Sequence, residues 1–67
     1  MSKEMEFFTF LMEQYGSYKN TTADKVIRQL DELKLTDYVF NMYEMYHSEA
    51  LENAYADIDK LIEAKSK

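Results

Sequence analysis

One histidine, thirteen carboxylates, six tyrosines and no cysteine bound the chemistry open to this 67-residue chain. His47 is the one side chain that titrates near neutrality unaided, so any acid–base step would begin there. Glu44 stands three residues before it, the Glu-x-x-His spacing of carboxylate-bridged metal sites in helical bundles. Such sites need the motif twice, and here it occurs once, so only a second copy of the chain would complete one. The plainer reading places His47 at a helix C-terminus, where an imidazolium suits the negative end of the dipole and Glu44 is within hydrogen-bonding reach. Asp57 and Asp59 flank Ile58, and carboxylates two apart on a helix point to different sides, which makes a poor acid–base dyad. They read as a solvated outer face around an apolar anchor, or as an acidic contact surface. Without cysteine there is no thiol nucleophile, no disulfide and no thiolate metal site. A phosphate-cradling glycine loop and a nucleophile-elbow serine are also missing. No set of residues carries a reaction, so the expectation is a protein that is not an enzyme and uses no cofactor or metal.

The distribution of charge says more than its sum. Of the net −5, residues 1–36 contribute six acids against five bases, whereas residues 37–63 hold seven acids and only Lys60. An acidic C-terminal half repels nucleic acid and attracts a basic protein surface. The opening residues MSKEMEFF do not read as a signal peptide, and no apolar run reaches the length of a membrane span. A cytoplasmic location is the default.

The elements that would position these side chains are helices. Proline is absent, Gly16 is the one glycine, and strand-type alternation is nowhere sustained. A first helix capped by Ser2 buries Met5, Phe8, Leu11, Met12 and Tyr15, and ends at Gly16 and the polar run Ser17–Tyr18–Lys19–Asn20. A second opens at Thr21 or Thr22, with Asp24 as a weak capping-box partner, and turns Ala23, Val26, Ile27, Leu30 and Leu33 inward. A third begins after Thr36, where Leu35 and Phe40 have hydrophobic-staple spacing, and buries Val39, Met42, Tyr43 and Tyr46. A fourth, capped by Ser48, runs to about Glu63 on Leu51, Ala54, Tyr55, Ile58, Leu61 and Ile62. The apolar stripe slips by one position between Tyr46 and Leu51, which favours a turn at 47–48 over one long rod. The expected architecture is an all-α compact bundle of four short helices in a single domain over residues 1–67, or three helices with a long last one.

A chain of this size exposes about 4,500 Å² when folded, and burial barely offsets the entropy of ordering it. A dense aromatic core or a partner is the remaining source of stability. Phe7, Phe10, Tyr18, Tyr38 and Met45 fall off the stripes or at their margins, and exposed aromatics with methionine are common anchors of protein interfaces. The turn Lys34–Leu35–Thr36 also fits a helix-turn-helix, but its recognition helix from Asp37 to Tyr46 would carry no base and two acids.

Taken together, Glu6-Phe7-Phe8, Tyr15, Tyr18-Lys19-Asn20, Asp37-Tyr38, Tyr43, His47 and Asp57-Ile58-Asp59 resemble a family of short, functionally uncharacterised, all-helical bacterial proteins. The resemblance spans nearly the whole chain through short elements. It implies no activity, but members are often encoded beside a small ADP-ribosyltransferase-like protein, an arrangement that implies a toxin and its neutralising partner. On that footing Tyr43, His47 and Asp57 belong to a contact surface or to the packing. Many members carry Leu before the histidine and a Thr-Gln-Gly-like run after it. This chain has Tyr46 and Ser48-Glu49-Ala50 there, which leaves the post-histidine turn without a role carried over from the family.

The reading is an acidic protein-interaction module, antitoxin-like or regulatory, whose partner is another protein with a basic surface. Tyr43, His47, Glu49, Glu52 and Asp57 are its candidate contact residues. A self-associating homodimer is the alternative, and a helix-turn-helix-like nucleic-acid regulator comes third. Binding to nucleic acid and to membranes is not expected.

Overall fold

Ser2 opens the first helix as its residue type suggests: its Oγ accepts the Met5 backbone N–H at 3.1 Å, and Glu4 and Glu6 lie in the positive first turn. The computed structural model describes residues 2–66. Helix α1 spans Lys3–Tyr18, α2 Ala23–Glu32, α3 Thr36–Asn41, α4 Tyr43–Tyr46 and α5 Leu51–Lys65, and no strand occurs among the described residues. The protein is all-α.

Gly16 does not end α1. The helix runs on to Tyr18 with Gly16 buried inside it, at the point where α1 meets the start of α2. A Cβ on Gly16 would stand 2.9 Å from the Thr22 carbonyl carbon, closer than real Cβ atoms come, and 3.1 Å from the Ala23 nitrogen, a tight contact. The residue that turns the chain is Asn20, at φ 59°. Its N–H bonds Ser17 O at 3.1 Å, and the Thr21 N–H bonds Gly16 O at 2.7 Å, which together form a Schellman motif. The cap of α2 is then Thr22, whose Oγ1 accepts from Lys25 N at 3.3 Å. With Thr22 as cap, Asp24 falls one position short of the capping-box site and no such box forms.

The same motif closes α2. Lys34 takes φ 61°, its N–H bonds Asp31 O at 3.1 Å, and the Leu35 N–H bonds Leu30 O at 2.8 Å. Leu35 and Leu30 are both buried in the core, the apolar contact that accompanies this motif. Leu35, not Thr36, occupies the N-cap position of α3, and no side chain caps that helix. The Thr36 hydroxyl donates instead to the Asp31 carboxylate.

The expected third helix is two. At Met42 (φ −85°, ψ 13°) the ladder tightens to a Met42 N–Val39 O bond, and α4 restarts as a single turn. The break before α5 is present, over residues 47–50. Ser48 does not cap α5; its hydroxyl donates back to Glu44 O and Met45 O, closing α4, and Ala50 precedes α5 with no side-chain cap.

One apolar cluster joins all five helices: Phe8, Leu11, Met12 and Tyr15 from α1, Val26 and Leu30 from α2, Val39, Tyr46, and Ala54, Tyr55 and Ile58 from α5. Met5, placed on the α1 stripe by its spacing, lies one turn before the cluster and is exposed. The accessible surface is 4690 Å² and no described buried side-chain polar atom lacks a partner.

Candidate interaction surface

Two tyrosines and two aspartates fix the frame on which the surface is built. Tyr15 of α1 and Tyr46 of α4 point inward with their rings in the core. Each phenol must find an acceptor, and α5 supplies both: the Tyr15 hydroxyl donates to Asp59, and that of Tyr46 to Asp57 Oδ2 at 2.6 Å. The divergence of two carboxylates two residues apart is what allows one helix to take hydroxyls from two others across Ile58. Burial foremost, then the neighbouring carboxylate, pushes both phenol pKa values well above the ordinary tyrosine range. Lys19 adds an ion pair to Asp59 at 3.2 Å. Asp57 and Asp59 are therefore half-buried clamps and not a solvated outer face. One oxygen of Asp57, a candidate contact residue, is thus engaged within the fold. The partners of the clamps lie 11 and 44 residues away in sequence, so no local spacing signals them.

Outside that frame, rings gather in two places along α1. At its N-terminal end Phe7 meets Phe10 (6.5 Å between centroids), stands edge-on to Tyr43 at 5.7 Å, and reaches His47 at 6.3 Å. Tyr43 and His47 lie parallel, 4.2 Å apart with 1° between planes. His47 is the C-cap of α4, as its position suggested, but its hydrogen bond is not to the Glu44 side chain. Nδ1 lies 2.6 Å from the Tyr43 carbonyl. A carbonyl only accepts, so Nδ1 carries the proton in this bond. At the other end of α1, Tyr18 stacks on Tyr55 at 4.6 Å, and Lys19 lies 5.7 Å from the Tyr18 ring centre. Burial, then Glu52 one turn earlier on α5, raises the Tyr55 pKa.

The structure thus joins Tyr43 and His47 into one stack and leaves Glu49 and Glu52 exposed at the start of α5. It adds Phe7 and Phe10, which their off-stripe spacing had marked as surplus. Phe10 is 46% exposed and Tyr18 56%. No cluster of three or more His, Asp or Glu side chains suited to a metal occurs among the described residues, and no described helix is long and apolar enough to cross a membrane.

These features define a small all-helical chain with two groups of clustered aromatic side chains. The chain belongs to the family described as "Protein of unknown function (DUF3791)", whose model matches residues 6–65. No curated protein and no solved structure matches the chain.

Proposed function

We propose that this protein is a protein-interaction module that docks a partner on the face formed by Phe7, Phe10, Tyr43 and His47. The observation that carries this reading is the position of those rings: Phe7, partly buried against the core, meets Phe10, Tyr43 and His47, and Phe10 is nearly half exposed. An aromatic group left open to water costs solubility with no return to the fold, and such groups are characteristic anchors of binding surfaces. Exposed Glu44, Glu49 and Glu52 supply a negative border that would steer a basic partner and select against acidic ones. A regulatory or antitoxin-like role is the biological form of this reading. The resemblance to proteins encoded beside ADP-ribosyltransferase-like neighbours makes such an enzyme the first partner to try.

The test is affinity capture of the tagged chain and of its Phe10→Ser variant from the cells that make it. A stoichiometric protein held by the wild type and released by the variant supports the reading. Equal retention by both, or a homodimer with nothing else attached, sinks it. The nucleic-acid alternative draws no support from the fold, because the would-be recognition helix is split at Met42 and carries no base.

A further inference from the structure

A helix of one turn does not stand alone. Nucleation costs more than its few backbone bonds return, so α4, four residues long, is ordered by what it touches. It is set off from its neighbours by the break at Met42 before it and by residues 47–50, all exposed, after it. Two sets of contacts hold it. On the aromatic face, Phe7 of α1 stands edge-on to Tyr43 at 5.7 Å and to His47 at 6.3 Å. The Tyr43 carbonyl takes both the His47 backbone N–H at 2.9 Å and its Nδ1 at 2.6 Å. In the interior, Tyr46 is 1% exposed and its hydroxyl donates to Asp57 of α5 at 2.6 Å. Tyr46 and His47 are consecutive, so the residue that clamps α5 is joined directly to one that floors the face. Resting on the docking reading above, we infer that α4 is a joint: an occupant of the aromatic face keeps the turn formed and so keeps α5 seated, and release of α5 loosens the face.

Both sets of contacts act on one equilibrium, the turn formed or melted. Melting it draws Tyr46 away from Asp57 and parts Tyr43 from His47 together, because both depend on the backbone of residues 43–47. A ligand packed on Phe7, Tyr43 and His47 binds the formed turn better than the melted one. By reciprocity, whatever weakens the Tyr46–Asp57 bond lowers that ligand's affinity. The pairing of α1 with α2 lies outside this equilibrium, since those helices meet at Gly16 and their turn is closed by its own bonds at Asn20 and Thr21. Tyr15 and the Tyr18–Tyr55 stack tie α5 to α1 directly. The joint therefore acts most on the part of α5 nearest α4, up to Asp57.

The experiment is amide hydrogen exchange, followed by nuclear magnetic resonance on the full chain, for wild type, Tyr43→Leu and the milder His47→Ala. The expected result is exchange roughly tenfold faster at residues 54–58 in both variants, with α1 and α2 unchanged. Equal acceleration in every helix, or a change confined to residues 43–47, overturns the inference. The reciprocal arm uses Tyr46→Phe, which should hold a captured partner roughly fivefold more weakly than wild type does. A partner lost in Phe10→Ser yet held equally by wild type and Tyr46→Phe leaves the docking reading in place and overturns the joint. Retention by Phe10→Ser removes the docking reading, whereas faster exchange at 54–58 in His47→Ala still supports the link between α4 and α5.

Discussion

At the scale of single residues, the hydroxyls of Tyr15 and Tyr46 decide how α5 is held. Removing either takes a hydroxyl donor from a half-buried aspartate, with Lys19 still paired to Asp59, and such a loss costs about 1–2 kcal/mol. Tyr15→Phe and Tyr46→Phe should each lower the urea midpoint by that amount with little change in slope, as read by circular dichroism. The same hydroxyls set a pH dependence. An unfolded tyrosine titrates at the ordinary value of 10.0, while the folded phenols hold their protons to higher pH. Between those limits the folded chain binds more protons than the unfolded one, so this contribution is full below about pH 10 and is lost as the pH rises beyond it. Urea midpoints measured across the alkaline range should fall for the wild type and flatten in the Tyr15→Phe/Tyr46→Phe double variant. An equal fall in both would remove the clamp from the account. The ion pair of Lys19 with Asp59 is partly exposed and adds at most about 1 kcal/mol.

At the scale of elements, the turns carry the instructive cases. Alanine in an open helix is preferred to glycine by about 1 kcal/mol, yet a methyl at Gly16 would meet the backbone of Thr22. Gly16→Ala should therefore destabilise, by about 1–3 kcal/mol, since backbone cannot rotate aside as a side chain can. Lys34 presents the opposite case: a lysine in left-handed conformation at a Schellman turn, where glycine carries no steric penalty. Lys34→Gly should raise the melting temperature, gaining up to about 1 kcal/mol, and a lower value would show that the lysine side chain contributes contacts of its own. These positions also mark where the sequence was legible. Ser2 and Thr22 cap because capping is local chemistry, and Leu11, Val26, Leu30 and Ile58 are buried because helical spacing reports the inward face. Gly16 next to a polar run looks like a terminator, and only the approach of α2 shows it as a contact. Thr36 has a cap's type and neighbours but bonds Asp31, and nothing in the run 36–46 signals the restart at Met42. For the surface, Tyr43 and His47 four apart were readable as neighbours and Phe10 as surplus. The bond of Asp57 to Tyr46 was not legible, because it depends on a ring brought in from α4.

For the whole molecule, the residues proposed for docking are not those that hold the fold together. The buried cluster and the tyrosine clamps hold the helices together, while Phe10, Glu49 and Glu52 stand outside both. Phe10→Ser should accordingly leave the melting free energy within about 0.5 kcal/mol of wild type while abolishing partner retention. A large loss of stability would return Phe10 to the core. The pairing of α1 with α2 is local, whereas α5 is joined to α1 by bonds spanning 44 residues, so α5 is the segment to open first in hydrogen exchange.

The stack of Tyr18 on Tyr55 has an optical consequence. It joins the first helix to the last, and the chain contains no tryptophan to mask it. Two phenol rings held 4.6 Å apart and 20° from parallel couple their transitions and give a signed near-ultraviolet circular dichroism band, which free rotation averages away. The protein thus carries an intrinsic, label-free gauge of α5 docking. That band would register the opening of the last helix away from the first.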